Sequence, residues 1–399
     1  MTAQMPLPLM DTENAHTSGA YAKRPLALVV GEACHVMDDA GNRYLDFTSG
    51  MGVALLGHAH PQVAEAISAQ ARTLITCAEA FYNDRRAELY AELAQLLPAD
   101  LSRFFLCNSG AEAMEGALKV ARLLTGRTGI VSVKRGFHGR TLGALSTTWN
   151  PHYREPFVGW TPPDVRYISP NDFVSAEAAI DESIAAVVVE AVQGEGGVYP
   201  ADTAWLAGLQ SLCEARGALL IVDEVQTGLG RTGAWFAFMH AGITPHIVTL
   251  GKGMAGGVPM GAVVWRDSLG TIEAGVHGST FGGNPLACAS AIATLRALRA
   301  MNAPERAREL GAWWLDALRG LGLPMVREVR GLGLMVGLEL KGRVTPILQA
   351  LQAHGVLALP AGKTVLRFLP PLIVTQAELQ TVLDVLPLAF ERALTTEGR

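Results

Sequence analysis

An α/β fold, in which helices cover both faces of a mostly parallel sheet, is what the sequence predicts for the larger part of this chain. Two observations predict it. Apolar runs without polar alternation recur at 130–133, 185–189, 218–222, 247–250 and 262–265, as in strands buried on both faces. Apolar residues at helical spacing fill 111–124 and 203–216, and strands alternating with helices favour parallel pairing.

Taken in order, residues 26–30, 35–37 and 43–47 read as short antiparallel strands, separated by Gly31 and the Asp38-Asp39-Ala40-Gly41 turn. Residues 63–76 and 87–97 have helical spacing, and 104–107 is a short apolar run that precedes the alternating core. After Asn284-Pro285 come helices at 286–301 and 304–321, strands at 326–329, 334–340 and 365–369, and a last helix beyond Thr375. This second part is a smaller α+β unit that takes in the N-terminal strands. The expected division is an N-terminal segment 1–60 joining the small domain, a large domain 61–285 and a C-terminal small domain 286–399.

A chain of 399 residues, 49% hydrophobic and 17% charged, buries a sizeable core. The net charge of -5 is spread without like-charge runs, which leaves no footprint for nucleic acid or an anionic membrane. Small-molecule ligands are expected. Cys34, Cys77, Cys107, Cys213 and Cys288 never form a CxxC pair, so neither a disulfide framework nor a metal site is expected. The start lacks a basic stretch followed by an apolar one, and no apolar run nears the roughly 20 residues that span a bilayer. A cytoplasmic protein is expected.

Ligands of open α/β sheets collect where strands end, and three strand ends carry chemistry. After 104–107, Ser109, Gly110 and Ala111 open a helix whose free N–H groups suit an anion, although an ordinary N-cap would look the same. After 218–222, Asp223 and Glu224 point opposite ways along an extended chain, so one of them faces any site there. After 247–250, Lys252 stands between Gly251 and Gly253. Lysine is usually a surface charge, but here glycines let a ligand approach, and an apolar setting lowers the amine pKa toward that of a nucleophile.

Other motifs fail. Gly228–Gly233 and Gly251–Gly256 both fit GxGxxG, but neither lies at the first turn between a strand and a helix. HExxH and GxSxG are absent, and His58 with His60 beside Pro61 reads as turn structure.

Together these features resemble the class III aminotransferases, which are fold-type I pyridoxal-phosphate enzymes. The resemblance spans nearly the whole chain. It rests on FLCNSGAEAMEGALKVAR (105–122), GFHGRT (136–141), VVVEAVQGEGGV (187–198), LLIVDEVQTGLGRTG (219–233), TLGKGMAGGVPMGA (249–262), HGSTFGGNPLAC (277–288), VRGLGLMVGLEL (329–340) and VLRFLPPL (365–372). It implies a seven-stranded sheet and pyridoxal 5'-phosphate bonded to Lys252, which also shuttles the proton. Asp223 would keep the pyridine nitrogen protonated. Gly110 and Ala111, with Ser109 beside them, would hold the phosphate, joined by Thr280 from the partner of a homodimer. Phe137 and Val225 would enclose the ring, with Gln226 near its phenolic oxygen. Arg367 would clamp an α-carboxylate and Glu195 would gate it. Arg140, with Tyr21 and Ser279 nearby, would take the remote carboxylate.

Within the class the pattern is similar to acetylornithine aminotransferases and to relatives acting on amino acids linked to an amino-group carrier protein, through 148–157, 326–341 and 356–372. Met51 stands where ornithine δ-aminotransferases usually have tyrosine, which argues against free ornithine. His138 is as in the acetylornithine type, where the carrier-linked type has a smaller residue. The implied reaction moves the terminal amine of an N-blocked ornithine or lysine to 2-oxoglutarate, in arginine or lysine biosynthesis. Alternatives are a 4-aminobutyrate or ornithine aminotransferase, an aminomutase, and a non-catalytic protein that keeps the fold and binds the cofactor.

Overall fold

Strands Ile184–Val189, Leu219–Asp223 and Ile247–Leu250 are buried along their entire length, as strands covered on both faces must be. The computed structural model describes residues 9–162 and 164–397. Its largest sheet has seven strands in the order Leu101–Cys107, Gly261–Arg266, Ile247–Leu250, Leu219–Asp223, Ile184–Val189, Gly129–Val133 and Val165–Ile168. Gly261–Arg266 alone runs against its neighbours, while the remaining pairs are parallel. Five strands therefore end on one edge, ahead of Ser109, Phe137, Glu190, Asp223 and Lys252. The edge strand Val165–Ile168 escaped the periodicity, because it is short and only half-buried around Arg166.

Helices leave that edge with their ends satisfied. Gly110–Thr125 is capped by Ser109, whose hydroxyl accepts from Glu112 N, and it closes on left-handed Gly126. Thr203–Arg216 is capped by Asp202 and closes on Gly217, and Pro285–Ala300 starts from Asn284 with proline at its first position. The glycine-rich stretch after Asp223 is a run of turns with no helix, so its GxGxxG spacing is not a dinucleotide-binding fingerprint. It is a structural joint instead: the buried Arg231 donates to the Leu334 and Pro370 carbonyls.

The C-terminal third forms an antiparallel sheet of Val326–Leu332, Met335–Leu340, Val365–Phe368 and Leu359–Ala361. The N-terminal strands Leu28–Glu32, His35–Asp38 and Arg43–Asp46 form another, completed by Val356–Leu357 in parallel with Arg43–Asp46. The two ends of the chain are thus hydrogen-bonded together. Helix Thr345–Ala353, absent from the sequence expectation, is only nine residues long. Among the described residues no helix is long and apolar enough to cross a membrane.

Phe47, Trp314 and Phe368 are wholly buried and meet with centroids 5.4 to 6.0 Å apart. This cluster seats the strand that carries Arg367 against the N-terminal segment. Trp314→Ala removes its central ring and should cost about 3–5 kcal/mol of stability. Urea unfolding followed by circular dichroism would show this as an earlier transition, and a transition that did not move would contradict the packing described.

Candidate active site

The five strand ends close around one cavity of about 260 Å³, whose walls include Gly110, Ala111, Phe137, Asp223, Val225, Gln226 and Lys252. Glycine makes it possible. A Cβ on Gly110 would lie 2.6 Å from Val225 Cγ1, and one on Gly251 would lie 3.1 Å from Gly110 Cα. Any side chain at either position would push the helix start, Val225 and Lys252 apart.

Lys252 takes a left-handed backbone with φ of 43°, which strains a residue with a Cβ by roughly 1 kcal/mol or more. Such strain persists where neighbours over-determine it. Burial lowers the pKa of its amine, opposed by Asp223, Glu195 and Glu190 and reinforced by Arg367. Among the described residues no side chain hydrogen-bonds or ion-pairs with Lys252. An unengaged amine in a cavity, with its pKa lowered by burial, is suited to act as a nucleophile and a base.

Asp223 is held at both oxygens. Oδ1 accepts from Val225 N at 3.0 Å and Thr249 Oγ1 at 3.2 Å, and Oδ2 lies 2.8 Å from His138 Nδ1. Burial would lower the His138 pKa, but the hydrogen bond and charge of Asp223, helped by Glu190, raise it overall. Glu190 follows an all-apolar strand just as Asp223 does, a signal that sequence reasoning left unused. Its oxygens accept from Phe137 N at 2.8 Å and Gly194 N at 2.9 Å, which ties two cavity loops together. Burial first, and then the charge of Asp223, push its carboxyl up to about 7, although His138 works against them.

Arg367 and Glu195 are paired at 2.7 Å. The guanidinium is buried and donates through Nη1 to Gln226 Oε1 at 3.1 Å. Arg140 is exposed at the cavity rim, its guanidinium 3.6 Å from the centre of the Tyr153 ring and 5.6 Å from that of Phe137. Tyr153, which the spacing never singled out, is thus the shelf for Arg140.

Five expected residues do not line this cavity within one chain: Tyr21, Ser109, Ser279, Thr280 and Arg367, the last of which meets it through Glu195 and Gln226. Tyr21 is 81% exposed and lines a separate cleft with Leu9, Glu13 and Arg24. Ser279 Oγ accepts from Gly282 N and Asn108 Nδ2. Thr280 is exposed. Ser109 spends its hydroxyl on the helix cap, which leaves the backbone of Gly110 and Ala111 facing the cavity.

A buried unpaired amine, a carboxylate fixed opposite a histidine, helix N–H groups at glycine and an aromatic wall suit a phosphorylated aldehyde with a basic ring nitrogen. The fold and the cavity together define a pyridoxal-phosphate enzyme. The chain belongs to the class III aminotransferase family, whose model ("Aminotransferase class-III") matches residues 18–390. It is 45% identical over 394 residues to "[LysW]-aminoadipate semialdehyde transaminase" of Deinococcus radiodurans, covering 98% of this chain and 91% of that one. It is 44% identical over 366 residues to acetylornithine aminotransferase of Methanopyrus kandleri, covering 91% and 94%. Among solved structures, ornithine aminotransferase of Toxoplasma gondii superposes with a TM-score of 0.92 at 34% identity, covering 98% of this chain and 95% of that chain, and its description places pyridoxal phosphate in the active site at partial occupancy. The protein is a pyridoxal-phosphate-dependent aminotransferase.

The raised carboxyls have a consequence for stability. Glu190 and Glu224 are both pushed up to about 7 from an ordinary 4.5, so the folded chain keeps protons that the unfolded chain has released. The stability they contribute is fully present below about pH 4.5 and is lost as pH rises through about 7. Glu190→Gln removes one of these titrations. Measured by urea unfolding of the cofactor-free protein, this variant should gain stability relative to the parent between about pH 5 and pH 7. A difference that stayed constant across that range would contradict the assignment.

Proposed function

We propose that the enzyme moves the terminal amino group of an N-blocked ornithine or lysine, either N-acetylornithine or a carrier-protein-linked lysine, to 2-oxoglutarate. The observation that carries this reading is the buried Arg367–Glu195 pair beside Lys252, with Arg140 free at the rim. Arg367 clamps the α-carboxylate of glutamate bidentately when Glu195 swings away. It stays masked by Glu195 when an arm that carries a terminal amine and no carboxylate at the reacting carbon enters. Arg140, with Tyr21 and Ser279 approaching the closed site, takes the far carboxylate of either substrate.

Pyridoxal phosphate, when bound, supplies the electron sink for the carbanion at the amine-bearing carbon. Lys252 would hold the cofactor covalently at rest and, once displaced by the substrate amine, its Nζ would carry the proton from the amine-bearing carbon to the cofactor's carbon across the shared nitrogen. Asp223 would face the ring nitrogen, Phe137 and Val225 would enclose the ring, and Gln226 would sit by its phenolic oxygen. The N–H groups of Gly110 and Ala111, with Ser109 beside them, bind the phosphate. Thr280 reaches the same phosphate from a second copy, which makes the working unit a homodimer. In support, Phe81 and Phe281 are exposed apolar side chains. Buried Arg86 joins the loops that bear them by donating to the Cys77, Phe81 and Gly283 carbonyls. In the proposed division, domain 61–285 supplies all of these groups except Tyr21 and Arg367. The names of the relatives support a place in arginine or lysine biosynthesis and an amino-group carrier protein as a partner; the reading includes a cytoplasmic location.

Coupled assays for glutamate formed from 2-oxoglutarate test the reading, using N-acetylornithine, carrier-linked lysine, free ornithine and 4-aminobutyrate as donors. A blocked donor should exceed free ornithine by about tenfold or more in kcat/KM, about 1.4 kcal/mol, since a free α-ammonium is repelled by the like charge of Arg140. No glutamate from either blocked donor would overturn the substrate assignment.

A further inference from the structure

We propose that Arg330 is a positioning residue for the Glu195 gate. By donating from Nε to the Gly197 carbonyl it fixes the backbone of the loop that bears Glu195, so that exchange of substrates at Arg367 is a swing of one side chain. The inference rests on the reading of Glu195 and Arg367 given above and adds to it how the gate is held.

Glu195 lies in loop 194–198, which closes a hairpin that pairs Val192 with Pro200 and Gln193 with Tyr199. The loop is pinned on both sides of the glutamate. Glu190 accepts from Gly194 N at 2.9 Å, and Arg330 Nε donates to the Gly197 carbonyl at 2.9 Å. Between these bonds Gly196 packs so closely on the Arg135 carbonyl that a Cβ there would lie 2.5 Å from its oxygen.

The loop is also held under strain. Val198, β-branched and wholly buried, takes a left-handed backbone with φ of 57°, which such residues keep only where their surroundings over-determine it. Those surroundings are one row of the C-terminal sheet. Arg330 pairs with Gly337 and Gly337 with Arg367, so the three residues share a face. Gly337 leaves the gap that Val198 fills, since a Cβ at 337 would lie 2.9 Å from Val198 Cβ. The two arginines flank that gap, one on the Gly197 carbonyl and the other on Glu195 at 2.7 Å.

Arg330 is itself immobilised. Nη1 donates to Glu328 at 2.8 Å and Nη2 to Glu339 at 2.6 Å. Its guanidinium lies 3.7 Å from the centre of the Tyr199 ring, whose hydroxyl donates to the same Glu339 oxygen at 3.0 Å. The Glu195 side chain, by contrast, is 28% exposed against 1% for Arg367. The part left to move is the glutamate side chain, on a loop that aims it at Arg367.

Arg330→Lys isolates the bond to Gly197. Lysine keeps a cation for Glu328 and Glu339 but has a methylene where Nε stands. The half-reactions with N-acetylornithine and with glutamate would be followed in stopped flow by the absorbance of the bound cofactor. Released from Gly197, Glu195 should mask Arg367 less well. The half-saturating concentration of N-acetylornithine should therefore rise about tenfold, as for one lost charge-assisted hydrogen bond. That of glutamate, whose own carboxylate replaces Glu195, and both limiting rates should stay within about twofold. In the Glu195→Gln background Arg330→Lys should add nothing, because it acts through that side chain. Equal rises for the two substrates, a fall in both limiting rates, or additive effects of the two substitutions would overturn the proposal. A Glu195→Gln protein with an unchanged ratio of the two half-saturating concentrations would instead overturn the reading of the gate on which the inference stands.

Hydrogen exchange of the cofactor-loaded parent needs no variant to fold. Amides of 194–198 should exchange slowly, and should stay slow with saturating 2-oxoglutarate, because the backbone does not open. Faster exchange of this segment with 2-oxoglutarate present would mean that the loop itself moves, and would overturn the role of Arg330.

Discussion

Everything at the site depends on keeping the Lys252 amine out of water while surrounding it with opposite charge. Burial pulls its pKa down, and Asp223, Glu195 and Glu190 pull it back up. The net effect is a lowered pKa for an amine that still has opposite charge around it. The other charges obey the same rule. Arg367 is buried because Glu195 neutralises it at 2.7 Å, and Asp223 is buried because three donors surround it. Removing one member of such a set strands its partner, which in a low-dielectric interior costs more than the pair contributed.

The fold supplies this arrangement through strand direction and missing side chains. Six strands run one way and Gly261–Arg266 runs the other, so chemistry from five segments converges on one edge. Gly110 and Gly251 let the helix start come to within van der Waals contact of the strand end that bears the lysine. Across the cavity, the Phe47–Trp314–Phe368 cluster and the Arg231 joint bring the C-terminal sheet close enough for Arg367 to meet Glu195 and Gln226. Of the Arg367–Glu195 pair the arginine is the buried member and the glutamate the more exposed one.

Much of this was legible before any coordinates. Uniformly apolar runs located the central strands to within a residue or two, since buried parallel strands have no polar face to blur them. Lys252 and Asp223 stood out because a charge directly after such a run has to be accommodated inside. Glu190 carried the same signal. Its carboxylate reads as an ordinary strand end until the bonds to Phe137 and Gly194 are seen. Tyr153 beneath Arg140, and His138 against Asp223, join residues 13 and 85 positions apart, and no local periodicity reports contacts of the second kind. Arg367 stands inside an apolar strand, an anomaly whose purpose came only from the family resemblance. The edge strand Val165–Ile168 and the helix Thr345–Ala353 were too short for periodicity to register.

The central claim is that one buried amine forms the covalent bond to the cofactor. It is tested most directly by loading the protein with pyridoxal 5'-phosphate, reducing with borohydride and identifying the modified residue by peptide mass spectrometry. The account predicts a stable adduct on Lys252 and none on the cofactor-loaded Lys252→Ala protein under the same conditions. A stoichiometric adduct on another lysine, with Lys252 unmodified, would contradict it.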